Sequence, residues 1–173
     1  MNQPRHPFRI NVGFLFNEPI GYVREIPFEF SQLLFSNEFS FNNFKGTAAF
    51  HRTQNGLRLF GDFEAQTKAT CVRCLEEFEL NVHTAFEEVF TYPNYPLSEN
   101  EALIPENGFL DLEATIADFL LLEIPINPLC RVDCKGLCVQ CGQNLNLSAC
   151  VHFPDPEKPI QGSFAITGRM KSN

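Results

Sequence analysis

The sequence lacks the features that mark membrane, secreted and fibrous proteins. It has no run of 18 or more apolar residues, so it holds no candidate transmembrane helix. The first residues are not followed by the apolar stretch of a signal peptide, which predicts a cytoplasmic protein. Repeats and low-complexity segments are also missing. With 173 residues and 44% hydrophobic residues, the chain is expected to form one globular domain that makes no contact with a membrane.

Motifs of known enzyme classes are missing as well. The sequence contains no glycine-rich phosphate-binding loop, no GxSxG, no HExxH and no DxD pair. Its four histidines, at positions 6, 51, 83 and 152, are scattered along the chain. These absences predict a protein that is not an enzyme and leave no small-molecule substrate evident.

Positive charge is missing from the centre of the chain. The formal net charge is −8, and no Lys or Arg lies between Arg73 and Arg131, a stretch that holds twelve Asp and Glu residues. The acids are interpreted either as a solubilising surface or as a face that attracts a basic protein and repels RNA phosphates, so that any contact with rRNA would be weak or indirect. Four acids, at a predicted hairpin tip and along the polar side of one predicted strand, are the candidate partner-binding residues: Glu76, Glu77, Glu79 and Glu87.

The residues that are present predict strands most clearly in the middle of the chain. Asn55-Gly56 is typical of a hairpin turn in which both positions take positive φ. Over 57–71, apolar and small residues fill the odd positions, which predicts a half-buried strand with a bulge at Gly61. A second alternating run follows over 77–90. We therefore predict an antiparallel meander with strands near 47–54, 57–70 and 77–90.

Phenylalanine, with 19 residues, is expected to dominate the core. Short strands are predicted in the N-terminal region, one of them from the alternation of Val12, Phe14 and Phe16, and residues 91–110 are predicted to form a loop. One helix is predicted over 111–123, capped by Asp111 and ended by Pro125. The residues expected to be buried together are Leu57, Leu59, Phe63, Phe78, Leu80, Val82, Ile116, Phe119 and Leu120.

The fold class that follows is α+β, with an antiparallel sheet and a phenylalanine-rich core covered by one main helix. Sheet and helix are assigned to residues 1–125, and a cysteine-rich zinc-knuckle segment to residues 126–153. Residues 154–173 are expected to form a loosely ordered tail. The three parts are expected to make one domain in all.

Five of the seven cysteines fall within 21 residues, in the pattern C-x3-C-x3-C-x2-C-x8-C, followed by x-H. The two-residue gap in Cys138-Val139-Gln140-Cys141 lets both sulfurs face one ion, and the Gly after it permits a left-handed backbone. Arg131 and Lys135 would offset the negative charge of the thiolates. This density of cysteine in a cytosolic chain predicts a structural zinc ion, rather than disulfides or unrelated free thiols.

Spacing alone leaves the ligand set open. The main prediction is one site formed by Cys130, Cys134, Cys138 and Cys141. In a second option, Cys150 or His152 replaces one of the first two. In a third, a knuckle at Cys71 and Cys74 joins the knuckle at Cys138 and Cys141, as in a zinc ribbon.

The pair Cys71 and Cys74 is open to three interpretations. In the first, the two cysteines form a metal-binding knuckle or a redox-sensitive pair. In the second, they are packing residues at a turn. In the third, they are the centre of a thiol- or zinc-dependent redox enzyme. The enzyme interpretation is weakened because a redox-active CxxC opens a helix, whereas this one joins two predicted strands. The neighbouring Glu76 and Glu77 would also disfavour a thiolate.

Three segments of the chain resemble the YceD family over roughly residues 10–153. They are Cys71-Val72-Arg73-Cys74-Leu75-Glu76, the helix exit Leu120-Leu121-Leu122-Glu123-Ile124-Pro125, and the cysteine segment from Cys130 to Asn146. The resemblance implies a role in the processing or accumulation of large-subunit rRNA, with no established enzymatic activity. It favours a ribosome-biogenesis factor that binds a basic ribosomal protein or a pre-50S particle. The alternatives are the redox enzyme and a zinc protein that binds RNA directly.

Overall fold

A five-stranded sheet is the main element of the computed structural model, which describes residues 7–35, 39–95 and 101–152. Within those ranges, no helix is both long and apolar enough to cross a bilayer. The predicted tail, 154–173, lies outside the described residues. The elements in chain order are β1 (Arg9–Asn11), a 3-10 helix (Gly13–Asn17), β2 (Val23–Leu34), β3 (Ser40–Arg52), β4 (Gly56–Thr70), β5 (Glu77–Thr91), β6 (Glu101–Leu103), β7 (Phe109–Asp111) and α1 (Glu113–Leu122).

The strand order in the main sheet is β2-β3-β4-β5-β6. Strands β2 to β5 are antiparallel neighbours, so the predicted meander of β3, β4 and β5 is confirmed. Strand β6 pairs with β5 in parallel, where Val89 faces Glu101 and Thr91 faces Leu103. The sheet is therefore mixed. Strand β6 begins beside Val89 and runs in the same direction as the last residues of β5, so the two strands form a short parallel pair. Strands β1 and β7 form a separate antiparallel pair.

Strand β4 has the predicted orientation. Leu57, Leu59 and Phe63 are fully buried, whereas Arg58 and Asp62, between them in the sequence, are exposed. In β5 the same alternation buries Val82 and Phe86, while Phe78 and Leu80, nearer the hairpin tip, are only half-buried. The helix contributes buried Ile116 and Leu120, with Phe119 packed at the margin of the core.

The core is a connected set of phenylalanine rings. Phe8 stacks on Phe28 and on Phe35, with ring centroids 5.4 and 5.6 Å apart, and Phe44 stacks on Phe63 at 5.4 Å. The helix joins this set where Phe119 lies parallel to Phe86, 4.3 Å away. Phe8, Ile10, Val12 and Leu15 are buried in the same core, so α1 shares the covering of the sheet with the N-terminal segment.

Two glycine predictions in β4 are wrong in detail. Neither Asn55 nor Gly56 has positive φ, and Gly56 already belongs to the strand. Glycine is required at position 56 because a Cβ there would lie 1.9 Å from the carbonyl oxygen of Phe90. Gly61 keeps a regular register against Phe86, so it marks no bulge. Its missing side chain leaves room for the ring of Phe86, which a Cβ would approach to 2.4 Å.

The remaining differences lie outside the meander. The alternation at 12–16 gives a 3-10 helix and not a strand, because Val12 and Leu15, three residues apart, are the buried pair. The predicted loop 91–110 includes β6 and the start of β7. The helix begins two residues later than predicted, because Asp111 is the last residue of β7. Asp111 still bonds to the start of the helix, where its Oδ1 accepts a hydrogen bond from the Glu113 N–H at 3.0 Å.

Candidate metal centres

The fold collects all seven cysteines and one histidine into two sets of four. The inner cluster consists of Cys71, Cys74, Cys130 and Cys134. The outer cluster consists of Cys138, Cys141, Cys150 and His152. Within each set, one ligand atom per residue lies within 4.8 Å of the others, so each cluster could hold a metal ion.

The inner cluster joins the β4–β5 hairpin to the segment that follows α1. Cys71 and Cys74 occupy the turn between the two strands, as predicted. Backbone hydrogen bonds hold the later segment against this turn, from the Val72 N–H to the Pro128 carbonyl and from the Leu137 N–H to the Arg73 carbonyl, both at 3.0 Å. Phe78, Leu129 and Leu137 pack around the sulfurs.

The sulfur positions of the inner cluster suit a tetrahedral ion. Cys71 Sγ lies 3.8 Å from Cys134 Sγ, and Cys74 Sγ lies 3.6 Å from Cys130 Sγ. A tetrahedron with metal–sulfur bonds of about 2.3 Å has sulfurs about 3.8 Å apart. The same distances are far too long for a disulfide, whose S–S bond is about 2.05 Å.

Each cluster is built on the same tight turn. In the inner cluster the Leu75 N–H donates to the Cys71 carbonyl, and the Cys71 N–H donates to the Glu76 carbonyl, both at 2.9 Å. In the outer cluster Gly142 donates to Cys138, and Cys138 to Gln143, both at 2.8 Å. The residue after the second cysteine has positive φ in both turns, 60° at Leu75 and 73° at Gly142. Glycine is the residue usually found at positive φ, so the leucine at position 75 gave no sequence signal for this turn.

Backbone amides lower the thiol pKa of Cys71 in the inner cluster and of Cys138 in the outer cluster. A hydrogen bond from the Cys130 amide outweighs burial and lowers the pKa of the Cys71 thiol to about 6. A hydrogen bond from the Gln140 amide lowers the pKa of Cys138 to about 7. Burial raises the pKa of Cys130 to about 12, so this sulfur needs a cation beside it to lose its proton.

Polar side chains surround Cys134. Asn146 Nδ2 donates to its sulfur at 3.3 Å, and Arg73 Nη1 donates to its carbonyl at 3.0 Å. Arg131 Nη2 in turn donates to Asn146 Oδ1 at 2.7 Å, as does the Lys135 backbone N–H at 2.8 Å. The positive charge predicted near the thiolates is thus present at Arg131, and Arg73 adds to it. Asn146 was missed in the sequence, because nothing in the local pattern marks an amide as a neighbour of sulfur.

The predicted ligand set is divided between the two clusters. Cys130 and Cys134 face the hairpin tip, whereas Cys138 and Cys141 face Cys150 and His152. The knuckle at 71–74 therefore does not join the knuckle at 138–141. The physical reason is the pair of backbone hydrogen bonds at Val72 and Leu137, which fixes residues 128–137 on the hairpin and directs the chain beyond them to a separate site.

The inner turn does not have the form of a redox-active CxxC site. The turn at Cys71 and Cys74 joins two strands and opens no helix, and both sulfurs are buried against other sulfurs. Four protein ligands around an ion leave no position for a substrate, whereas catalytic zinc keeps one open. The chemistry that the geometry supports is the crosslinking of chain segments by a metal ion.

The candidate partner-binding acids lie beside the inner cluster and along β5. Glu77, Glu79 and Glu87 are exposed on the same face of the strand, as the alternation predicts. Glu87 forms an ion pair with Arg58, and Glu79 faces Lys68 across the strand pair. Glu76 Oε1 accepts a hydrogen bond from Asn144 Nδ2 at 2.8 Å. Their negative charge is therefore partly balanced by neighbours, and their role in binding stays a prediction.

The region that holds both clusters is also the region shared with known proteins. A family model described as "Large ribosomal RNA subunit accumulation protein YceD" matches residues 59–166, more than half of the chain. The match covers most of β4, all of β5 and α1, and all eight candidate ligands.

Curated relatives match shorter segments. The uncharacterized protein Rv2926c of Mycobacterium tuberculosis is 38% identical over 91 residues, which cover 50% of this chain and 44% of that protein. The chloroplastic "Large ribosomal RNA subunit accumulation protein YCED homolog 1" of Zea mays is 38% identical over 63 residues, 36% of this chain and 20% of that protein. Its Arabidopsis thaliana counterpart is 44% identical over 46 residues, which cover 27% of this chain and 14% of that protein.

The matched part thus spans less than half the length of these curated relatives. No solved structure matches the chain. The family model covers most of the β4–β5 hairpin, the helix and both cysteine clusters. On that match, the chain belongs to the YceD family.

Proposed function

We propose that this protein supports the accumulation of large-subunit rRNA as a non-enzymatic ribosome-biogenesis factor. The observation that carries the proposal is the family match over residues 59–166, together with the plant relatives that are named for this role. The protein acts by binding, either to a basic ribosomal protein or to a pre-50S particle. The whole relatives are longer than the matched segment, so the proposal concerns the part that they share with this chain.

Binding is proposed over catalysis because of how the described donors are used. The described cysteines all belong to one of the two clusters, and each cluster is complete with four ligands. The metal is zinc, since thiolate and imidazole donors in sets of four suit a tetrahedral structural ion. At the inner cluster, zinc supplies a crosslink that ties residues 130–134 to the β4–β5 hairpin.

The binding surface is placed on the acidic face of β5. Glu77 and Glu79 are exposed near the hairpin tip, within a stretch of twelve acids and no Lys or Arg. Such a surface attracts a Lys- and Arg-rich ribosomal protein and repels the phosphates of RNA. The contact with rRNA is therefore proposed to be indirect, through the bound protein.

The test compares two pairs of acids that have similar surroundings. The variant E77Q/E79Q removes charge from β5, and the control E25Q/E29Q removes the same charge from β2. Both pairs are exposed, and each contains one acid that faces a lysine, Glu79 with Lys68 and Glu29 with Lys45. Tagged full-length proteins are used at low salt to recover partners from growing cells, which are analysed for ribosomal proteins and pre-rRNA.

We expect the wild type and E25Q/E29Q to recover the same ribosomal components, and E77Q/E79Q to recover less of them. Folding stability should change little, because exposed charges contribute about 0–1 kcal/mol each. Equal recovery by all three proteins would contradict the acidic face. Recovery of no ribosomal component by the wild type would contradict the proposed function itself.

A further inference from the structure

The outer cluster is a complete metal site that shares no ligand with the inner one. Cys138, Cys141, Cys150 and His152 all lie within a 15-residue segment, and their ligand atoms approach within 4.8 Å of one another. Three thiols and one imidazole are the donor set of a Cys3His structural zinc site. The sequence alone favoured one zinc ion per chain, whereas this arrangement has donors for a second.

The outer turn is prepared for a metal in the same way as the inner one. The Cys138 carbonyl accepts the Gly142 N–H, and the Cys138 N–H donates to Gln143, which repeats the hydrogen bonds found at Cys71. Gly142 has the positive φ that this turn requires, with no side chain to strain it. The two turns therefore present paired sulfurs with the same backbone geometry.

The two clusters differ in how well their donors are shielded. Three of the four inner sulfurs are buried and the fourth is half-buried. In the outer cluster, Cys141 and His152 are exposed, and Cys150 is half-buried. Water and competing ligands thus reach Cys141 and His152 directly, although Cys138 is buried, whereas three of the four inner sulfurs are closed to them.

The clusters also differ in what holds them. The inner ligands come from two segments joined by the hydrogen bonds of Val72 and Leu137, and Cys134 has Asn146 and Arg73 around it. Such neighbours of the ligands raise metal affinity by about 10–100-fold. The outer ligands lie in a segment of turns with one isolated bridge. Asn144 and Asn146 tie the middle of this segment to Glu76 and Cys134, whereas Cys150 and His152 follow these contacts in the chain, so local motion of the segment's end is enough to open the site.

We propose that the protein binds two zinc ions at sites that share no ligand and that the ion in the outer cluster exchanges faster than the ion in the inner cluster. The inner ion holds the cysteine segment on the sheet. The outer ion ties Cys138 and Cys141 to Cys150 and His152. This inference does not depend on the role in rRNA accumulation, since it concerns metal binding alone.

The experiment measures zinc in the full chain purified without added metal. Elemental analysis and native mass spectrometry should give about two zinc ions per chain, one for each set of four ligands. A chromogenic chelator in excess should then remove them in two phases of equal amplitude, the faster at least about tenfold faster than the slower, from the difference in ligand surroundings.

Variants assign the phases. C138S/C141S should keep one zinc ion and lose only the fast phase. H152A should accelerate the fast phase, and H152C should restore it, because a fourth thiolate replaces the imidazole. H83A is the matched control, since His83 is also exposed but lies outside both clusters, and it should change neither phase.

Several results would overturn the inference. If the wild type held one zinc ion per chain and C138S/C141S held none, there would be no separate inner ion. A single release rate for both ions would contradict the faster exchange of the outer one. Iron with visible absorption in place of zinc would contradict the choice of metal. Because the outer variants change no ligand of the inner cluster and no residue of the sheet, far-UV circular dichroism should match the wild type and show that the chain is folded.

Discussion

Replacing Phe63 with alanine tests whether the inner face of β4 is the centre of the core. The Phe63 side chain is fully buried and lies within 6.0 Å, centroid to centroid, of the rings of Phe28, Phe44 and Phe86. Those rings belong to β2, β3 and β5, which the sheet holds in place, so they cannot close the cavity left by alanine. We therefore expect F63A to lose about 4–5 kcal/mol of unfolding free energy, the upper part of the range for Phe→Ala.

A matched control is available on the other face of the same strand. Phe60 is only half-buried, and its ring contact is with His51 at 4.8 Å. F60A should lose about 1 kcal/mol, the centre of the distribution for point substitutions, because its ring is only half removed from water. Urea unfolding of the zinc-loaded proteins, followed by far-UV circular dichroism, measures both losses under equal metal binding. Losses of similar size in F63A and F60A would refute the assignment of the inner face.

Two further substitutions test local geometry. G61A should lower the unfolding free energy by about 1–3 kcal/mol, because the added methyl would lie 2.4 Å from the ring of Phe86; a thermal midpoint equal to that of the wild type would contradict the close packing. L75G should raise the unfolding free energy by about 0.5–1 kcal/mol, since relief of the left-handed strain at Leu75, φ 60°, of about 1–2 kcal/mol exceeds the entropy cost of glycine. A lower urea midpoint for L75G than for the wild type would show that the turn does not need positive φ.

The hairpin of β4 and β5 was predictable because its signal is long and regular. Fifteen residues of β4 alternate between core and solvent, and no other periodicity fits Leu57, Leu59 and Phe63 at once. The connecting turn at Cys71 and Cys74 followed from the break between two alternating runs. Here the local pattern and the tertiary packing agree.

The N-terminal segment shows why short patterns mislead. Val12, Phe14 and Phe16 alternate as in a strand, but Val12 and Leu15 satisfy a period of three equally well. The core selects the second period, burying Val12 and Leu15 completely and leaving Phe14 exposed. Five residues contain too few repeats for the sequence to decide between the two periods.

The ligand sets were only half predictable for a similar reason. A two-residue gap between cysteines fixes a knuckle locally, so the pairs 71/74 and 138/141 could be recognised from spacing. Which pairs meet is decided by hydrogen bonds between residues far apart in sequence, Val72 with Pro128 and Leu137 with Arg73. Spacing carries no information about those contacts, and the nearness of Cys134 to Cys138 in the chain favoured a set of four cysteines that the structure divides between two clusters.

The length of the hairpin determines how far apart the two ends of the sheet are. Strands β4 and β5 have 15 residues each, and at about 3.3 Å per residue they extend about 50 Å. The inner cluster lies at one end of this hairpin, and the turn at Asn55 lies at the other. A small domain is about 30 Å across, so a protein of that size bound at the cysteine end does not reach the Asn55 end. Two macromolecules can therefore occupy the opposite ends of the hairpin together without competing for the same surface.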